Sequence, residues 1–323
     1  MTTELATIRE WRDVSKTTLL NEIIPGGQPA VLRGFVDAWP AVRHAKTSVA
    51  AISTYLKKLD TGKPVEAILT PPEVRGRIFY NENLDGFNFL RNQVSVSSVV
   101  DQVLRYAQFA TAPSVAIQSA MITECMPRFI DEHVLPFVDT QILPRLWLGN
   151  AITTPAHIDT SYNIACVVSG KRRFTLFPPS QVANLYIGPL DFAPTNSPIS
   201  MVSFTQPDFV LHPKFKDALT QAQFAELQPG DAIFIPPLWW HHVESLNAFN
   251  VLVNYWWSNV VAPAQASTPF ECLLHCLNNF KHLPPDQREA WGALFQHYVF
   301  DGSVDPAMHL PANRRGVLAG RSI

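Results

Sequence analysis

Residues 145–257 are broken into short apolar runs separated by Gly, Pro and Asn, and this pattern constrains the chain most. Such runs, bounded by turn formers, read as strands, and several in succession close into an all-β barrel or sandwich. The strand candidates are 163–168, 172–177, 231–235 and 250–256. At 323 residues the chain exceeds the usual compact domain, yet a β-barrel with helical additions reaches this size as one unit. Charged residues make up 16% of it, below the roughly 25% of ordinary domains, so a large buried core is expected.

The barrel is expected to carry flanking sections. Residues 29–34 read as a strand ended by Gly34, and 48–59 have helical periodicity that Asp60, Thr61 and Gly62 stop. Residues 77–80 and 87–96 resemble strands about a turn at 83–86, and 96–107 is helical, with Ser97 or Ser98 as its cap. Residues 1–120 then form an α/β section wrapped on a barrel at 121–260. The long connection 177–227 predicts helices at 180–186 and 214–226, and an insertion of that size in a barrel often borders the active site. Beyond it, 269–281 and 285–298 are helical, which makes 261–323 a C-terminal helical section. The fold class is mainly β with flanking helices (α+β).

His157 and Asp159 stand two residues apart, and on an extended chain two residues put both side chains on one face. They can share one ion. A third ligand comes from Trp239-Trp-His-His242, which follows the strand candidate 231–235 and a turn at Pro236 and Pro237. Strand parity groups Trp239, His241 and Val243 against Trp240, His242 and Glu244, and the first set is the better barrel interior, which selects His241. Two His and one carboxylate leave three positions of an octahedral ion open, as non-haem Fe(II) oxygenases require.

The ordered segments Thr154-Pro-Ala-His157-Ile-Asp159, Asn163, Gly170-Lys-Arg-Arg-Phe-Thr-Leu-Phe-Pro-Pro179, Gly230-Asp-Ala-Ile-Phe-Ile-Pro-Pro-Leu-Trp-Trp-His-His242 and Val253-Asn-Tyr-Trp256 carry a resemblance. Together they resemble the cupin-like branch of the jumonji-C family, which includes the asparaginyl hydroxylase acting on hypoxia-inducible factor. The resemblance implies a double-stranded β-helix (jelly-roll, cupin-like) core with C-terminal helices. It implies Fe(II) on His157, Asp159 and His241, with 2-oxoglutarate and O2 as cosubstrates. Thr154 and Asn163 match cosubstrate-binding positions and Asn254 a polar neighbour of the same cosubstrate pocket, and Gln118 and Trp256 are the candidates for contact with substrate.

Two residues depart from that pattern. Arg172 stands where the hydroxylase has Lys, and it can still pair with a carboxylate. Ala116 stands where a cosubstrate-contacting Tyr is expected. Arg172 shares parity with Phe174 and Leu176, so it is expected inside the barrel while Lys171 and Arg173 face out. The aromatic cluster Trp239, Trp240, Tyr255, Trp256 and Trp257 is expected to be mostly core, with Trp256 the exception because it shares parity with Asn254.

The implied activity is hydroxylation of an unactivated C–H bond, with a protein or peptide side chain as the favoured substrate; a small molecule or RNA stays open. With 25 basic against 27 acidic residues and no basic run, nucleic acid is not favoured. No signal sequence and no long apolar stretch is evident, so membrane association is not expected and a cytoplasmic location is. Apolar positions on 269–281 and 285–298 predict a homodimer through these helices, which the resemblance supports. The four cysteines are expected as free thiols, and Cys272, His275 and Cys276 are too few for a closed metal site. Two rival readings are a cupin that binds metal without redox chemistry and an inactive interaction scaffold.

Overall fold

A computed structural model describes residues 5–135, 139, 141–195, 197–258, 267–303 and 305–319. The chain forms two compact units, Met1–Asn259 and Val260–Ile323. The expected section boundary at 260/261 lies outside the described residues, as do residues 1–4.

With strands numbered in chain order, the first unit carries two sheets. The smaller runs β1 (Ala6–Thr7), β11 (Gln223–Leu227), β10 (Arg172–Phe177), β13 (Trp240–Ser245), β8 (Thr153–His157). The larger runs β2 (Glu10–Arg12), β3 (Ala30–Arg33), β12 (Ala232–Ile235), β9 (Tyr162–Ser169), β14 (Asn250–Trp257), β7 (Arg145–Gly149), β6 (Ser114–Met121), β4 (Val65–Thr70), β5 (Leu90–Val94). The fold is β-rich and jelly-roll-like with added helices.

Period-2 alternation decides which core each side chain joins. Ala165 and Val167 of β9, Ile233 and Ile235 of β12, and Phe174 and Leu176 of β10 form one cluster between the sheets. Ile164, Cys166 and Val168 of β9 and Phe234 of β12 point the other way, into a cluster with Ile52, Leu56, Val99 and Val103 of two helices. Those helices are Val49–Leu59, capped by the Ser48 hydroxyl, and Val96–Tyr106. The second cap is Ser95, not Ser97 or Ser98 as expected: Ser95 is extended and its hydroxyl accepts from the Ser98 N–H at 3.2 Å. Ser98 thus lies inside the first turn, where it supplies a donor rather than capping one.

The far face of the smaller sheet is covered by the connection 178–222. Phe177 and Trp240 pack there against Leu185, Val202 and Phe215. Two helices expected in this connection are corrected. Residues 180–186 form a 3-10 turn, Pro179–Asn184, and only Phe215–Thr220 of 214–226 is helical. Residues 223–227 are β11, antiparallel to β10, with Ala225 and Leu227 buried between the sheets. Residues 214–226 suit either period, and a non-local pairing that buries two apolar side chains outweighs the weak local helix preference. Residues 77–80 form no strand beyond isolated bridges at Arg77 and Tyr80.

In the second unit, Pro269–Phe280 is opened by a capping box of Thr268 and Glu271, and Pro285–Phe295 follows. Phe280 meets Trp291 and Phe295 edge-on, yet neither helix has a fully buried residue. Leu273, Trp291 and Leu294 stay 43–47% exposed. Cys272 is an exposed free thiol. Among the described residues no helix is long and apolar enough to cross a membrane.

Candidate metal centre

His157 ends β8 and pairs directly with His241 of β13. Opposed residues on neighbouring strands project to the same face, and the two ring centroids lie 4.1 Å apart. Each ring is tethered by its own strand: Nδ1 of His157 donates to the Pro155 carbonyl at 2.9 Å, and Nδ1 of His241 to the Trp239 carbonyl at 3.0 Å. A carbonyl oxygen only accepts, so Nδ1 carries a proton, and in a neutral ring the lone pair is then on Nε2. Burial pushes the His157 imidazole down to about 4, and neighbouring His241 pushes the same way. The ring is therefore neutral at ordinary pH, as a metal ligand needs to be.

Asp159 lies just past β8, with Oδ2 3.6 Å from His241 Nε2. Ligand atoms of His157, Asp159 and His241 all fall within 4.8 Å of one another, the only such group of metal-binding side chains among the described residues. Cys272, His275 and Cys276 form no second group there. The Asp159 carboxylate is held by two donors on Oδ2, Trp256 Nε1 at 2.9 Å and Asn163 Nδ2 at 3.2 Å. Its backbone carbonyl accepts the Leu238 N–H at 2.8 Å, for which Leu238 takes a left-handed φ of 66°.

His242 occupies the opposite face of β13. Its ring stacks on Phe204 at 4.2 Å, and neither nitrogen has a hydrogen-bond partner among the described residues. Burial keeps it neutral, with its pKa lowered to about 3.

Thr154 is three residues from His157, an odd separation that a regular strand would place on the other face. A register shift changes that: His241 pairs with His157 while Val243 pairs with Thr154, so β8 holds one residue more than β13 between the two pairs. Thr154 therefore shares the His157 face.

Arg172 is buried between the sheets, alternating with Phe174 and Leu176, and its Nε has no partner. Burial lowers its pKa to about 10, and no carboxylate among the described residues pairs with it. Arg173, on the outer face, bonds Glu226 at 2.5 Å. Lys171 is exposed.

Asn163 and Asn254 are buried and linked: Asn254 Nδ2 donates to Asn163 Oδ1 at 3.4 Å, and Asn254 Oδ1 accepts from Trp147 Nε1 at 2.9 Å. Gln118 lies at an irregularity of β6 beside Ser119, whose φ is 54°, and its amide makes no hydrogen bond among the described residues. Trp239, Trp240 and Tyr255 are buried, whereas Trp256 and Trp257 are half-buried. Trp256 lines a groove of about 590 Å³ with Met121, Gln141, Leu143 and Arg145, and the Arg145 guanidinium lies 5.8 Å from its ring. Nothing in the local sequence assigns a role to the side chain of Trp147 or Arg145 or to the backbone of Leu238. Parity could have put Arg145 and Trp147 on one face, but nothing local pairs Trp147 with Asn254.

A family model described as "Cupin-like domain" matches residues 16–262. The chain belongs to this cupin-like family. Among its curated relatives, this cupin-like chain is 34% identical over 134 residues to "Lysine-specific demethylase JMJ31" of Arabidopsis thaliana, covering 41% of the chain and 23% of that protein. It is 34% identical over 113 residues to "HSPB1-associated protein 1" of Bos taurus, 34% of the chain and 23% of the relative. The chain thus spans about a quarter of the length of these relatives. It is 24% identical over 306 residues to "tRNA wybutosine-synthesizing protein 5" of Danio rerio, 86% of the chain and 87% of that protein.

Proposed function

We propose that the chain is an Fe(II)- and 2-oxoglutarate-dependent dioxygenase that hydroxylates an unactivated C–H bond of a protein or peptide side chain. One observation carries the reading: the ligand atoms of two imidazoles and one carboxylate converge on the same inner face as a buried, unpaired Arg172. The donors suit Fe(II) with open positions, and the orphaned guanidinium suits the distal carboxylate of a dicarboxylic cosubstrate. When bound, the iron and 2-oxoglutarate supply the oxidation by O2, with release of succinate and CO2.

The chain's own residues hold and orient. His157, Asp159 and His241 would take the metal, kept in place by the Pro155 and Trp239 carbonyls and by Trp256 and Asn163. Thr154 and Arg172 would bind the distal carboxylate, and Asn163 and Asn254 the other end of the cosubstrate. Prime substrate would enter by the groove at Trp256, with Gln118 as the second proposed contact.

RNA is the second reading, favoured by the match over 86% of the chain to a relative named for tRNA modification. The charge balance of 25 to 27 without a basic run favours peptide. The test is succinate formation by Fe(II)-loaded protein, with mass spectrometry of lysate peptides and of tRNA nucleosides. Iron-dependent succinate and a +16 shift on a peptide are expected. No succinate above the metal-free level would leave the non-redox cupin reading, and a +16 shift confined to nucleosides would move the substrate to RNA.

A homodimer through Pro269–Phe280 and Pro285–Phe295 is part of the same proposal, supported by the exposure of Leu273, Trp291 and Leu294. Light scattering at micromolar concentration is expected to give twice the chain mass; a monomer there removes the idea.

A further inference from the structure

We propose that Trp147 is a positioning residue, setting the orientation of the Asp159 carboxylate through a one-way chain of hydrogen bonds. The inference rests on the reading of Asp159 as a metal ligand. The Trp147 indole only donates, so its 2.9 Å bond to Asn254 Oδ1 decides which end of that carboxamide faces it. Asn254 Nδ2 then faces Asn163 Oδ1 at 3.4 Å, and Asn163 Nδ2 faces Asp159 Oδ2 at 3.2 Å. Each link runs donor to acceptor, from a group that cannot accept to a carboxylate that cannot donate.

The two ends of a carboxamide are nearly the same size, so either Asn could turn over if it stood alone. Between a donor-only indole and an acceptor-only carboxylate, one arrangement avoids setting oxygen against oxygen. Asn163 and Asn254 are 4% and 3% exposed, so bulk water is not at hand to repair a reversed link. Trp147 also stands edge-on to Trp256, ring centroids 6.2 Å apart, and Trp256 is the other donor to Asp159 Oδ2. A residue with no contact to the proposed ligand atoms thus packs against one of Asp159's donors and orients the other.

The experiment is Co(II) binding to the metal-free full-length chain without cosubstrate, read by calorimetry and by the d–d absorption of the bound ion. Trp147→Phe keeps an aromatic ring and removes the donor. It is expected to weaken Co(II) binding by about tenfold, as loss of an outer-sphere partner typically does, and to shift the d–d band. A packing role alone would lower thermal stability and leave that band unchanged. Asn254→Asp is isosteric and cannot donate to Asn163 Oδ1, so it is expected to weaken binding at least as much. The double variant should be no weaker than the worse single one, because both act through one chain. Wild-type affinity and spectrum in both single variants would overturn the inference, and if Trp147→Phe fails to fold, Asn254→Asp decides alone. A wild-type chain that binds no Co(II) would bring down the metal-centre reading and this inference with it; intact binding with unaffected variants brings down this inference only.

Discussion

Asp159→Ala and His241→Ala are each expected to reduce iron-dependent succinate formation by more than about 100-fold, beyond the cost of losing an outer-sphere partner. Removing Asp159 takes away the anionic donor and strands the Trp256 and Asn163 N–H groups that point at it. Removing His241 takes away an Nε2 that its tether to the Trp239 carbonyl already aims at the site. His242→Ala is the control. That ring stacks on Phe204 across the sheet from the proposed metal ligands, so its loss should lower stability while metal affinity stays within a few-fold of wild type. Calorimetric titration with a divalent metal separates the two effects. If His242→Ala abolishes binding and His241→Ala does not, the assignment of the third ligand is wrong.

Arg172→Ala is expected to weaken 2-oxoglutarate binding to the metal-loaded protein by about 2–5 kcal/mol, the cost typical of truncating one partner of a buried charge pair. That is roughly 30-fold to several thousand-fold in Kd. The size follows from burial. A guanidinium held between the sheets without a carboxylate is costly, and an anionic cosubstrate relieves that cost on binding. Arg172→Lys should recover part of the affinity, since it restores the charge without the bidentate fork. Arg173→Ala should bind 2-oxoglutarate like wild type. Its partner Glu226 is 46% exposed, and surface pairs of that kind contribute about 0–1 kcal/mol. Equal affinity in Arg172→Ala and wild type, or a larger loss in Lys171→Ala or Arg173→Ala, would sink the assignment.

Much of this site was legible in the chain because strand parity is a local property. His157 and Asp159, two apart, bring their ligand atoms within 4.8 Å of each other and of that of His241, with Asp159 just past the end of β8, and His241 and His242, one apart, fall on opposite faces of β13. Arg172 goes inside with Phe174 and Leu176 while Arg173 goes out to Glu226. The splits between His241 and His242 and between Arg172 and Arg173 follow from the two-residue repeat of an extended backbone, which needs no knowledge of the neighbouring strand.

What the sequence could not decide depends on pairings between distant segments. Thr154 joins the His157 face only because β8 bulges against β13. Residues 223–227 become a strand because β10 offers an edge, although residues 214–226 also suit a helix. The bond from Trp147 to Asn254 spans 107 positions and exists because β7 and β14 are neighbours. Period and composition set by themselves which faces were apolar and which types of ligand were available. Only the tertiary structure set the register, because a one-residue slip costs a strand nothing locally and is decided by which side chains its partners bury.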